Sequence, residues 1–538
     1  MPLARSVLYG SALYHLSLWG PAPAQPNLTL APARRGDAAR GAELTAGLFR
    51  FAGEGVSAAL PPWTAALPPA FLAELHGFAW LADLAALGDA AAWALARRWT
   101  ADWLDYCDGW DAVAWRADVV GTRLIAWITY WPRLARGGED KTLAARLCAS
   151  LARQMRHLSR VGRREAPGVG RLTALAGFVA AAAALGYPGK LERGLRQLLR
   201  EADAQLLPDG GHLERSPRAQ LLALEALTAA RAALVAHQAE VPPALQSAID
   251  RATPMLRFFR HGDGSLALFN GSVEETAETV ERVLAQAEAK GRAPHSAPHA
   301  GFQRLQAGRS LVLVDTGAPP APGFDADAHA GTLSFEMSDG RERLIVNCGA
   351  YHGPDAQWRT VARASAAHST LVVADTNSAE IRADGGLGRR PGRVRCERRE
   401  EDGAQWISAS HDGYASAFGL THQRQLFLSA DGEDLRGEDR LSGPAGQGFV
   451  LRFHLHPAVQ ASLAQDGSAA LLRLASGVGW RLRAQGAVMS LAESIYLGEG
   501  EPRKSQQLLL DGHVGTAGAT VKWALRRDGR KAGDERAE

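Results

Sequence analysis

The sequence predicts an α+β multidomain chain, a helical domain followed by an antiparallel β domain, and three observations lead there. A chain of 538 residues is too long for one ordinary hydrophobic core. From about Pro69 to Lys290 apolar residues recur at helical spacing. Beyond about Gly301 the period falls to two, with Gly, Asp and Asn turns between short apolar runs.

Residues 1–68 read as an N-terminal extension and lead-in segment. The helical domain is expected over 69–295. It opens with Phe71–Leu81, which places Leu72, Leu75, Phe78 and Leu81 on recurring turns of one helix. Thr142–Leu158, Leu172–Leu185, Leu191–Leu206 and Ala219–His237 repeat the habit. Breaks fall at Gly137-Gly138, Pro167-Gly168, Tyr187-Pro188-Gly189, Pro208-Asp209-Gly210-Gly211 and Pro242-Pro243. Many helices with short connections make a bundle, a solenoid or an α/α toroid, and periodicity does not choose among them.

The β domain is expected over 300–528, with strands at Ser310–Val314, Leu344–Val346, Thr370–Val373, Gln425–Leu428 and Phe449–His456. In the last of these Phe449, Leu451, Phe453 and Leu455 share one face, while Arg452, His454 and His456 share the other. That alternation describes a half-buried antiparallel strand, and several such strands describe a β-sandwich. The tail, 529–538, is charged and poor in apolar residues, so disorder is expected there.

Bulk properties narrow the function classes. Sixty Lys and Arg against 57 Asp and Glu leave a formal charge of +3, so the whole-molecule field selects no partner. Arg156, Arg160, Arg163, Arg164 and Arg171 form one basic cluster, and Arg389, Arg390, Arg393, Arg395, Arg398 and Arg399 form another. Each reads as a solvated face, and with no recognition motif beside them nucleic acid is not an expected partner. Cys107, Cys148, Cys348 and Cys396 are widely spaced, which gives buried free thiols rather than a zinc knuckle or a disulfide framework. No apolar run reaches the roughly 18 residues of a membrane span. Residues 1–24 only faintly resemble a signal peptide, since His15 and polar interruptions break the apolar stretch.

Three segments of the β half carry the chemistry: His329-Ala-Gly-Thr-Leu-Ser-Phe-Glu-Met, Leu344-Ile-Val-Asn-Cys-Gly-Ala-Tyr and Ala366-Ala-His-Ser-Thr-Leu-Val-Val. Together with Arg359, Arg363, Phe453-His-Leu-His-Pro and Gln507-Leu-Leu-Leu, they resemble the C-terminal domain of the heparinase II/III-like polysaccharide lyases over nearly all of 300–525. The resemblance implies an α/α toroid for the helical half and an acidic polysaccharide as substrate or ligand. It also implies a metal, usually zinc, held by His329, Asn347 and His368. A neutral amide at 347 replaces the family's aspartate and is a poor zinc ligand; the alternative is a pair of core histidines. The family's cleft histidine falls on Asp327, while its tyrosine and arginine are kept as Tyr351 and Arg363.

In the helical half, Pro208-Asp-Gly-Gly-His-Leu-Glu-Arg-Ser-Pro resembles the family's rim motif. Ser216 suits a helix N-cap and Pro217 the first helical position. The family's Tyr-His after that proline is Ala219-Gln220 here. Its Asn-His falls near Gly168–Arg171, where Arg171 is the available cation. Trp110, Trp115, Arg123 and Trp127, flanked by Trp99, Trp103 and Trp131, offer stacking faces for sugar rings or else helix packing. Arg260, His261, Asp263 and Asn270 lie in a Gly-rich turn.

Uronate β-elimination needs a carboxylate neutraliser, a base and an acid. The expected proton carriers are His212, with His261 or Tyr351 as the second. Arg123 and Arg215 are expected to hold the carboxylate, and Trp127, Glu214, Arg171, Arg363 and Asp327 to line the cleft between domains. Two alternatives stand beside this: hydrolysis by paired carboxylates from Asp209, Glu214 and Asp263, and a non-catalytic envelope protein that binds acidic glycan. The family implies the cell envelope or periplasm; the weak leader leaves the cytoplasm open.

Overall fold

The structure, a computed structural model, describes residues 8–135, 141–162, 165–383 and 385–528. The charged tail, the Gly137-Gly138 break, Arg163 and Arg164 lie outside the described residues, as does the start of the leader-like stretch.

The first half is the expected α/α toroid of helix pairs. Its centre is Val169–Ala184, whose small apolar side chains are buried almost without exception. Ala117–Leu134, Pro188–Gln205 and Pro217–Ala236 pack around it. The approach to Ala117–Leu134 depends on two glycines: a Cβ on Gly177 would lie 2.5 Å from the Gly121 Cα. Pro217–Ala236 has a mean hydropathy of 1.4 over 18 residues, but 61% of that window is buried in the helical core.

The N-terminal segment is not a separate layer. Its short helices Ala12–Leu18 and Ala38–Thr45 and its hairpin of Leu48–Phe51 with Glu54–Ser57 contribute Leu18, Leu44, Phe49 and Phe51 to the same helical core.

Two expectations for this half change. Phe71–Leu81 is not one helix: Pro69–Gly77 ends at Phe78, which takes a left-handed φ of 59°, and a second helix runs Leu81–Leu87. The Phe78 ring stacks against Trp63 and meets Trp80, Trp103 and Trp127, so aromatic packing overrides helical periodicity. The tryptophans expected as sugar platforms form this core as well, with Trp99, Trp103, Trp115, Trp127 and Trp131 each no more than 2% exposed.

The second half is a pair of antiparallel sheets around one apolar core. One sheet runs, in spatial order, Gln460–Leu463, Ala469–Arg473, Gly479–Gln485, Ala519–Arg527, Asp434–Ser442, Leu420–Leu428, Ala404–Tyr414 and Val394–Glu401. The other runs from Val488–Tyr496 through Arg503–His513, Gly448–Leu455, Glu342–Val346, Phe335–Asp339, Ser310–Asp315 and Phe302–Ala307 to Ser296–Ala297, with Leu371–Val373 paired beside Gly448–Leu455. Phe449, Leu451, Phe453 and Leu455 all face inward as the alternation requires. His329, Asn347 and His368 stand outside the strands, before or just after them.

Candidate functional site

The rim motif follows the helix Pro188–Gln205. Its turn is fixed to the β half, because Asp209 Oδ2 accepts from His299 N and Ala300 N, both at 2.8 Å. Ser216 caps Pro217–Ala236 as expected, accepting from Ala219 N at 3.4 Å. Gln220, where the resemblance implies a histidine, accepts from His212 N at 2.8 Å and donates to the carbonyls of Gly210 and Ala252 at 2.9 Å. The residue at this place ties a turn together.

His212 is enclosed by the same network, which corrects its expected role. Its Nε2 lies 2.7 Å from Gln205 Oε1, and the Gln205 amide nitrogen donates to Glu201, so Nε2 carries the proton. Its Nδ1 accepts from Glu214 N at 3.2 Å. The ring is 2% exposed and burial pushes its pKa down to about 3. Both nitrogens of a neutral imidazole are therefore committed, and neither faces a substrate.

The other expected catalytic and binding groups are also built into the structure. His261 Nε2 is 2.9 Å from Glu336 Oε2 and its Nδ1 is 3.0 Å from Ser338 Oγ, with both ionisable side chains fully buried. Arg123 is fully buried; it donates to Gln154 Oε1, His76 O and Ala114 O, and lies 4.3 Å over the Trp103 ring. Trp127 is buried beside it. Arg215 pairs with Asp315 and donates to the carbonyls of Ala300, Ala318 and Gly301, all in the β half. Arg171 pairs with Glu201 and donates to Glu165 O. A buried cation needs a full set of acceptors, and these arginines have found them within the protein. Of the three acids considered for hydrolysis, Asp209 holds the turn and Asp263 pairs with Arg343 at 2.7 Å, so only Glu214 remains.

What the fold does bring together is a polar cluster where the domains meet. Glu214 is half-buried, and its Oε1 accepts from Val169 N at 2.7 Å, at the start of Val169–Ala184. Gly168 makes room for that carboxyl: its φ is +128°, and a Cβ there would sit 2.5 Å from Glu214 Oε1. Burial raises the Glu214 pKa to about 7; the Val169 hydrogen bond opposes the shift and the nearby Asp327 charge adds to it. Asp327 is exposed on the β-domain side of the cluster. Arg363 donates from Nε to Ala328 O at 2.8 Å and from Nη2 to Gly386 O at 3.0 Å, which holds the loop that carries Asp327.

Tyr351 is half-buried, with its ring 6.0 Å from Trp358. Its neighbour His352 was not anticipated from the sequence. Burial and the Arg218 charge lower the His352 pKa to about 4, against an opposing pull from Asp327, and its buried Nε2 has no hydrogen-bond partner among the described residues. Only its position next to Tyr351 could have pointed to it. Glu214, Asp327, His352, Arg218 and Arg363 thus define the candidate site, with Tyr351 next to His352 in the chain.

The expected zinc ligands do meet, but in the wrong chemical state. His329 Nδ1 lies 3.0 Å from His368 Nε2, and His368 Nδ1 lies 2.7 Å from Ala364 O. A carbonyl only accepts, so His368 carries its proton on Nδ1 and accepts at Nε2 from the His329 Nδ1–H. His329 Nε2 in turn accepts from Gly271 N at 3.1 Å. All four ring nitrogens are committed. Asn347 Oδ1 accepts from Ser369 N at 3.0 Å, and its buried Nδ2, a donor, has no partner among the described residues. Zinc needs lone pairs and at least three ligands. Here the amide oxygen is occupied, and among the described residues no group of three His, Cys, Asp or Glu is placed to hold a metal. The residues present do not fit zinc.

Residues 289–524 match the family model for the C-terminal domain of heparinase II/III-like proteins. FtsZ-localized protein C of Caulobacter vibrioides is 34% identical to this chain over 549 aligned positions, covering 96% of this chain and 93% of the relative. The chain belongs to the heparinase II/III-like family.

Solved structures agree in fold. A heparinase III crystal structure superposes with a TM-score of 0.75 at 15% identity, covering 96% of this chain and 89% of that one. Heparan sulfate lyase HepC from Pedobacter heparinus gives 0.59 at 15% identity, over 92% and 83%. The chondroitin AC lyase of Streptomyces coelicolor A3 gives 0.56 at 13% identity, over 97% and 80%. This heparinase-like chain therefore has the fold of polysaccharide lyases.

Proposed function

We propose that this heparinase-like chain is a non-catalytic derivative of the lyase fold that binds acidic glycan at the mouth between its domains. The observation that carries the reading is the closure of His212, which has no nitrogen left to move a proton. Arg363, whose guanidinium donates to two backbone carbonyls, supplies positive charge at the mouth, and Tyr351 supplies a ring face. The test is incubation with a panel of uronate polysaccharides. Binding without new ultraviolet absorbance from unsaturated uronate is the expected result; sustained formation of unsaturated ends overturns it.

One observation favours β-elimination as the second reading. The Glu214 carboxyl, near pH 7 beside Asp327, is suited to exchange a proton at neutral pH. In that case Glu214→Gln abolishes the absorbance signal and His212→Ala leaves it.

The 34% identity to a relative named for its localisation with FtsZ supports a placement for this chain: that it, too, localises with FtsZ. The envelope or periplasm expected from the family is the competing placement. Imaging of a fluorescently tagged chain alongside FtsZ decides between them, and a distribution independent of FtsZ removes the first.

A further inference from the structure

The outer face of the eight-stranded sheet carries a row of side chains that no expected function uses. Cross-strand register places Arg399 opposite Trp406, Trp406 opposite Phe427, Phe427 opposite Arg436, Arg436 opposite Ala524, and Ala524 opposite Arg483. The row crosses six strands, about 24 Å at the usual strand spacing. It lines a concavity of about 870 Å³ on the face opposite the sandwich core. The two central rings are 5.0 Å apart, with Arg399 5.5 Å over Trp406 and Arg436 5.6 Å over Phe427. Lys522 and Arg526 stand beside the row.

We propose that this face is a second binding surface, distinct from the interdomain mouth, for a uronate-containing oligosaccharide laid across the strands. Three features select that chemistry. Cations recur along the row with aromatic rings between them, which suits carboxylates carried on rings. The face already holds Glu401, Asp434 and Glu438 in ion pairs with Arg399, Arg436 and Lys522, whose cations are more than half exposed. Such pairs are weak and readily exchanged, yet their carboxylates would repel double-stranded nucleic acid, which carries a charge every ~1.7 Å, more strongly than a glycan with one carboxylate per sugar. Finally, the central strands are hydrogen-bonded on both sides, so an acidic peptide finds no backbone groups to pair with. A glycan brings hydroxyls that Ser408, Gln425 and Gln485 can bond.

The test is calorimetric titration of the full chain with oligogalacturonate of defined length, with a neutral oligosaccharide and polyglutamate as controls. Trp406→Ala and, on the exposed rim of the row, Arg483→Glu are compared with Arg218→Ala and Arg363→Ala at the mouth, each checked for folding by circular dichroism. The expected result is at least a tenfold loss of oligogalacturonate affinity in both sheet variants. Affinity that grows with oligosaccharide length up to the span of the row is expected as well. Loss only in the mouth variants overturns the sheet surface and leaves the proposed function standing. Binding of polyglutamate in place of oligogalacturonate, sensitive to Trp406→Ala, overturns the glycan assignment. No binding of either overturns both readings.

Discussion

His329 and His368 hydrogen-bond directly to each other, 3.0 Å from Nδ1 to Nε2, in the place where the family resemblance implies a metal. The pair is neutral: burial lowers both pKa values, that of His368 to about 4. Groups that bind fewer protons folded than unfolded contribute stability that is full above the unfolded pKa near 6.5 and lost as pH falls through the folded value. Urea unfolding is therefore expected to show a falling midpoint between pH 6.5 and 4, with His368 alone accounting for on the order of 3 kcal/mol. A flat midpoint over that range would show that the pair is protonated in the folded state.

Zinc is expected to be substoichiometric after dialysis, because the Asn347 oxygen is engaged with Ser369 N. Asn347→Asp restores the missing anionic ligand. Elemental analysis should then find more zinc, and chelator should lower the thermal midpoint of the variant more than that of the parent chain.

Arg215→Ala removes a buried cation that faces Asp315 and three carbonyls. The stranded carboxylate makes the loss about 3–5 kcal/mol. Arg171→Ala breaks a pair nearer the surface and is expected to cost about 1 kcal/mol or less. Equal losses in the two variants, measured by chemical denaturation, would contradict the assignment of Arg215 as a tie between domains.

Glu214 works in the opposite direction from the histidines. Its pKa is raised to about 7, so the folded chain binds more protons than the unfolded chain between the ordinary carboxyl value and 7, and stability falls as pH rises through that window. Glu214→Gln keeps an acceptor for Val169 N and removes the titration. Because the lowered histidines act in the other direction over the same range, the variant should gain stability more steeply than the parent chain as pH rises from about 5 to 7.

His212→Ala leaves Gln205 Oε1 and Glu214 N without their partner. A loss of about 1–3 kcal/mol is expected, with glycan binding at the mouth unchanged.

The division into helical and β halves was legible because hydrophobic period reports which face of an element is buried. The strand Gly448–Leu455 and the Ser216 cap followed from the same local rules. The site was less legible, for a physical reason. A sequence shows that Arg123, Arg215, His212 and His261 are polar, but not that each has acceptors waiting inside the fold. Arg215 meets its partners 85 and more positions away, and such contacts leave no local trace. His352 escaped notice because its perturbed environment is assembled from Arg218, Asp327 and Gly271, on three separate segments.

The bonds of Arg215 also bear on how the molecule comes apart. A guanidinium rooted at the helical rim and seated in the first strands of the β half couples the fate of one half to the other. Denaturation should then be seen as a single cooperative step by far-ultraviolet circular dichroism and by tryptophan fluorescence alike, although most of the tryptophan belongs to the helical core. Proteases attacking during that step should find both halves accessible together, with no long-lived half-molecule between.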